Sequence, residues 1–219
     1  MKRALVLLAL AALPGCWWSP SPITPHGNVE MDPAKLPALV AGQPVALKSS
    51  RLVVFGRFES TAPQPIGGLY DHDDYSITPL SRTYFFRDAP LEVFEASCDH
   101  LRACGLDVRK DYATSGEPTL VEQRLRARNP LLVSATITML QNDQIRTDSD
   151  PPRDFEIARL VVAVRVRDLR GAVRYQRDVT IEGRVPAAES TDLLRTLGLR
   201  LGDVLVHDGD FLRAVEASS

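Results

Sequence analysis

The chain has 219 residues, with 26 Lys and Arg against 28 Asp and Glu and a formal net charge of −2. So even a balance excludes gross electrostatic attraction to nucleic acid, which calls for a strongly basic surface. Hydrophobic residues make up 44% of the chain, enough for one domain with a real core.

The first element is a leader, MKRALVLLALAALPGCWWSP. Lys2 and Arg3 give a positive start. Ala4 to Leu13 adds about ten apolar residues, where a spanning helix needs about twenty. That layout is a secretory signal. Its end, Leu13-Pro14-Gly15-Cys16, resembles the lipobox of bacterial lipoproteins, in which the cysteine is acylated and becomes the first mature residue. Pro14 departs from the small or hydroxyl residue commoner there. The resemblance implies a signal peptide over 1–15, a covalent acyl lipid on Cys16 with no other cofactor, and a membrane reached through that lipid. Each buried methylene contributes about 0.8 kcal/mol, so several chains anchor durably.

Residues 16–40 are rich in proline and serine and read as an extended tether. Trp17 and Trp18 suit a lipid interface. An aspartate after the acylated cysteine would imply inner-membrane retention, so Trp17 favours the outer membrane. The remainder, 41–219, reads as one periplasmic domain.

The first strand of that domain is expected in "QPVALKSSRLVVFGRFES", as one bent strand or two short ones joined near Ser49-Ser50. Leu52, Val54 and Phe58 fall on one face, Val53, Phe55 and Arg57 on the other. The stretch "TAPQPIGGLYDHDDYSITPLS" reads as a connection, followed by a short aromatic strand, "RTYFF". Asp88 is placed to cap a helix, with Pro90 in its first turn. Leu91, Phe94, Cys98 and Leu101 then recur at helical spacing, and Gly105 supplies the stop. On one helix Cys98 and Cys104 lie about 9 Å apart along the axis, so both read as small buried hydrophobes, with a bridge as the alternative if the helix ends before Cys104.

After the helix, "LDVRKDY" reads as a short strand. "LLVSATITML" alternates, with Val133, Ala135, Ile137 and Met139 facing inward. "ARLVVAVRVRD" repeats the pattern with Leu160, Val162, Val164 and Val166. Asp168-Leu169-Arg170-Gly171 turns the chain into "AVRYQRDVTIEGRV", which completes an antiparallel meander with one solvated face. Ser190 is the expected cap of the last long helix, with Asp192 in its first turn. Leu193, Leu194, Leu197, Leu201, Val204 and Leu205 form that helix's apolar face. His207-Asp208-Gly209 ends it before a terminal turn or short helix. The predicted class is α+β: an antiparallel sheet with two amphipathic helices packed on one face, in β-α-β-β-β-α order.

These parts resemble the YajG-type bacterial lipoproteins and their fold relatives, the auxiliary lipoproteins of ABC-type lipid transporters. The matching pieces are the box at Cys16, "PALVAGQPVAL", the helix ending "LRACGLDV", and "VTIEGRV" leading into the helix from Ser190 to Val206. The segment "TAPQPIGGLYDHDDYSITPLS" has no counterpart. The resemblance implies the architecture more than a reaction, since one fold hosts many functions.

No nucleophile elbow, zinc-protease motif, phosphate-cradling glycine loop or Cys-x-x-Cys occurs. Of the four histidines, none stands three or four residues from another. Asp71, His72, Asp73 and Asp74 read as a polar loop tip beside Gly67-Gly68, with capture of a divalent ion as the alternative. The aspartates at 148 and 150 lack the glycine and distal glutamate of a calcium loop, and Ser97 beside His100 shows no activated nucleophile. A basic run remains, from Arg159 to Arg177. Alternation puts Arg165 and Arg167 on the outward face, where Arg174 could join them. Such guanidinium forks fit phosphate or carboxylate, hence anionic lipid or an acidic partner; the plain alternative is a solvated face. The expected protein is therefore not an enzyme. It is an accessory or binding subunit meeting another envelope protein. Carriage of lipid or a small apolar ligand stands as the alternative, and a metal-dependent enzyme as a remote one.

Overall fold

Alternating strands and two apolar helix stripes do build an α+β layer structure. The computed structural model describes residues 36–40, 42–47, 51–62, 67–70, 77–80, 89–115, 126–146, 154–186 and 193–216, all within one compact unit, Asp32–Ser219. In chain order the strands are β1 (Leu52–Arg57), β2 (Glu59–Ser60), β3 (Gly67–Tyr70) and β4 (Ile77–Leu80) before the first helix, α1 (Ala89–Ala103). Then come β5 (Asp107–Ser115), β6 (Leu131–Arg146), β7 (Asp154–Arg167) and β8 (Val173–Pro186), and the helices α2 (Leu193–His207) and α3 (Gly209–Glu216).

The long strand β6 is the spine of the sheet. One edge carries β7, antiparallel over its full length, and β7 in turn carries β8. This is the predicted meander. The other edge carries β1, β2 and β3 in succession, all parallel to β6. β1 is also parallel to β5 on its far side. β1 thus lies inside the sheet, and Leu52, Val53, Val54 and Phe55 are all buried instead of alternating, the pattern of an interior parallel strand. The stretch expected to be a plain connection contains the β3–β4 antiparallel pair.

One further detail differs from the sequence pattern. A bulge between Ile137 and Met139 shifts the register of β6. It turns Met139 out to 38% exposure and Leu140 in to 7%, because one extra residue exchanges the faces. The strand β5 follows α1 directly, where "LDVRKDY" reads as a strand, and extends it to Ser115.

The core lies between one sheet face and the helices. Leu160, Val162, Val164 and Val166 of β7 meet Val93, Phe94, Cys98 and Leu101 of α1 and Leu197, Leu201 and Leu205 of α2 in one continuous cluster. Each such side chain contributes roughly 1.5–3 kcal/mol on burial. Phe94 also packs edge-on against Phe58 and Tyr112, at ring separations of 5.4 and 5.5 Å. Cys98 and Cys104 are buried free thiols, as their spacing implied; burial pushes the Cys98 thiol up to about 12, so it is inert.

The two long helices approach closely because Gly198 and Gly202 stand one helical turn apart on the same face. A Cβ at Gly198 would lie 2.7 Å from the Ala96 side chain and the Val93 carbonyl. One at Gly202 would lie 2.9 Å from the His100 Cβ. Helix α1 stops where expected: Gly105 takes φ +94°, and the Leu106 N–H closes on the Leu101 carbonyl at 3.1 Å.

The segment before β1 acts as a strap. The Leu39 N–H donates to the Arg184 carbonyl (2.9 Å), and the Arg184 N–H to the Pro37 carbonyl (3.0 Å). Farther on, the Leu47 N–H donates to the Cys104 carbonyl at 2.7 Å. Between these anchors Gly42 lies hard against the Asp203 carboxylate of α2, where any Cβ would collide.

Candidate functional site

Strand alternation decides which arginines look outward. On β7 the even positions 160 to 166 are buried, so Arg165 points to the opposite face, beside Ser134 of β6 and Gln176 of β8. Arg167, two residues on, lies opposite Leu132. Arg174 is different. It is the extra residue of a bulge where β7 Arg167 pairs with Val173 and Val166 with Tyr175. Its guanidinium is turned onto Asp168, with Nε at 3.1 Å and Nη2 at 2.8 Å from Oδ2.

Asp168 organises this end of the sheet. Its other oxygen accepts the Arg170 and Ala172 N–H groups, at 2.9 and 3.0 Å. Gly171 completes the turn at φ +84°. Burial alone would raise the Asp168 pKa. The Arg174 hydrogen bond, the two amides and the Arg174 charge outweigh it and hold the carboxyl below its ordinary value. Arg51 belongs to the same neighbourhood. Burial depresses its pKa first, the Arg174 charge adds to that, and Asp168 opposes. Its Nε donates to the Asn129 carbonyl at 3.3 Å.

The basic run therefore divides. Arg174 is tied to Asp168, and Arg177 donates to Asp208 at 2.9 Å. Arg159 Nε stands 4.0 Å from Glu182. Arg165 and Arg167 keep the outward placement expected of them, with Arg174 beside them through its bulge. What this arrangement offers chemically is a guanidinium-bearing rim around one neutralised aspartate, suited to phosphate or carboxylate groups.

Cys16, Trp17 and Trp18 lie outside the described residues, as do Asp71, His72, Asp73 and Asp74. So do "RTYFF", Asp88, Asp148, Asp150, Ser190 and Asp192. Among the described residues, no group of three or more His, Cys, Asp or Glu is placed to hold a metal ion. No helix among them is long and apolar enough to cross a membrane. Ser97 donates to its own helix's Phe94 carbonyl at 3.1 Å, an ordinary buried back-bond.

Two carboxylate centres were invisible to motif reasoning. Asp208, between α2 and α3, accepts the Asp210 and Phe211 amides on Oδ1, at 2.9 and 3.3 Å. Oδ2 accepts the Tyr175 hydroxyl at 2.9 Å as well as Arg177. The signal was present as an Asp-Gly pair opening a helix, which is a capping pattern. Asp203, one turn earlier, meets Arg200, His207 and His100. Helical spacing of 200, 203 and 207 hinted at that pairing; the contribution of His100 from another helix had no sequence signal.

No family model matches the chain, and no curated protein matches its sequence. Among solved structures, it is similar to protein XCC0632 of Xanthomonas campestris, from family DUF330. The TM-score is 0.41 and the identity 9%, over 82% of this chain and 90% of that one. It is also similar to a neuraminyllactose-binding hemagglutinin homolog from Helicobacter pylori. There the TM-score is 0.36 and the identity 10%, over 80% and 92% of the two chains.

Proposed function

We propose that this protein is a non-catalytic lipoprotein of the bacterial cell envelope, of the YajG type. Acyl chains on Cys16 hold it at the periplasmic side of the membrane, by preference the outer one. The observation that carries the reading is the leader: a basic start, about half the apolar length a span requires, and a cysteine directly after Leu13-Pro14-Gly15. The domain serves as an accessory or binding subunit, meeting another envelope protein or anionic lipid through its surface, with Arg165, Arg167 and Arg174 as the anionic-group contacts.

The packing favours surface recognition over carriage of an apolar ligand. Gly198 and Gly202 bring α2 against α1 at backbone distance. The space beneath the helices is occupied by Phe94, Leu101, Leu197, Leu201 and Leu205, each at most 1% exposed. Fractionation of cells expressing the full chain tests the anchor. The wild type sediments with membranes and Cys16→Ser is recovered as soluble protein. Equal membrane recovery of both would sink the lipid-anchor reading.

A further inference from the structure

His100 stands on the face of α1 that meets α2, with its side chain only 3% exposed and its Nε2 4.0 Å from Asp203 Oδ1. Nε2 is buried and has no hydrogen-bond partner. Such a group is costly to bury, and each instance calls for an explanation. Asp203 is itself engaged. Arg200 donates to Oδ2, and His207 Nδ1 lies 3.4 Å from Oδ1 and 2.8 Å from the Asp203 carbonyl. Directly over the carboxylate runs the strap, with Gly42 so close that no side chain fits.

The charged and titratable groups that bear on the His100 ring are Asp203, His207 and Arg200, all from α2. The strap residues 42–47, GQPVAL, contain no charged side chain. With the His100 ring neutral, the Arg200 guanidinium stands against the Asp203 carboxylate. A proton on His100 adds a buried cation 4.0 Å from that carboxylate, beneath an uncharged cover.

We propose that His100 and Asp203, with Arg200 and His207 around them, form an acid-sensitive latch, which seats strap residues 42–47 on the helix pair near neutral pH and loosens them when the His100 imidazole takes up a proton. Protonated His100 draws the carboxylate across the 4.0 Å gap toward charge-assisted contact, about 2.8 Å. That shift removes the surface on which Gly42 rests. Burial depresses the His100 pKa, Asp203 opposes, and His207 and Arg200 reinforce the depression. A histidine with a depressed folded value supports the latch fully above the unfolded value of about 6.5, and that support is lost as pH falls from there.

The test is amide hydrogen exchange on the full folded chain at pH 7.5 and pH 5.0, corrected for intrinsic exchange rates. The Leu47 N–H, bonded to the Cys104 carbonyl, reports the strap. The Phe211 N–H in the Asp208 cap reports the rest of the fold. Leu47 protection is expected to fall about tenfold or more at pH 5.0, with Phe211 unchanged. His100→Gln should abolish that fall. In the wild type the midpoint of the Leu47 loss should coincide with that of the His100 ring followed by NMR, which keeps the test decisive if His100→Gln does not fold. Leu47 protection that is independent of pH, that falls in step with Phe211, or whose midpoint departs from that of the His100 ring overturns the latch.

Discussion

At the scale of single residues, Asp208 shows how one carboxylate joins three elements. It caps α3, receives Tyr175 from β8 and pairs with Arg177 on the same strand. Arg177 pairs in register with buried Val164, yet its side chain is 62% exposed and only its tip meets Asp208. Burial alone would raise the Asp208 pKa. The bonds from Tyr175, the two α3 amides and Arg177 prevail and lower it. A depressed folded value means stability that is present above about pH 4 and is lost as pH falls through the folded value. Asn caps a helix as well as Asp, so Asp208→Asn should lower stability by about 1–2 kcal/mol at pH 7 through the charge-assisted bonds from Tyr175 and Arg177 that it loses, read by urea unfolding, and the gap from wild type should close as the pH falls below 4. A gap that stays constant into acid would show that the carboxylate's charge plays no part. Of the site residues, Arg165 and Arg167 were legible from alternation alone. The capture of Arg174 by Asp168 was not, because it depends on a bulge that leaves no mark in the residue pattern.

At the scale of elements, the meander and the helices were readable because their signals are local. Even positions from 160 to 166 are apolar, and all are buried. The stripe through Phe94, Cys98 and Leu101 faces the sheet as its spacing requires. Features set by partners far along the chain were not readable. The parallel flanking of β1 by β5 and β6 has no local signature. The β3–β4 pair is built from Gly67-Gly68 and a segment containing Pro79, residues that argue against strands. The helix pair supplies a test at this scale. Gly198→Val should destabilise the fold by about 1–3 kcal/mol through overpacking against Ala96 and the Val93 carbonyl. Gly209→Ala, where a Cβ would meet only the tip of Arg213 at 3.5 Å, should stay within about 0.5 kcal/mol of wild type. Chemical denaturation of both variants side by side distinguishes them, and equal midpoints would contradict the close approach of the helices.

At the scale of the whole molecule, three parts have separable tasks in this account. In the proposed reading the leader and Cys16 set location and the domain supplies a packed platform, across which the strap runs from β8 over Asp203 to the end of α1. The strap takes its first residues, 36–40, from the stretch read as a tether, and its last, 43–47, from the stretch expected to open the first strand, where the chain forms no strand; its course depends on Gly42 and Gly105 clearing Asp203 and the Leu47 carbonyl. A filled helix–sheet interior directs recognition to the surface. The most direct test is to extract the acylated protein from its native membranes in mild detergent and identify by mass spectrometry what co-purifies. The account predicts a stoichiometric protein partner, weakened when Arg165 and Arg167 are replaced by glutamate. Specific lipid with no protein partner, retained by the soluble Cys16→Ser form, would contradict it.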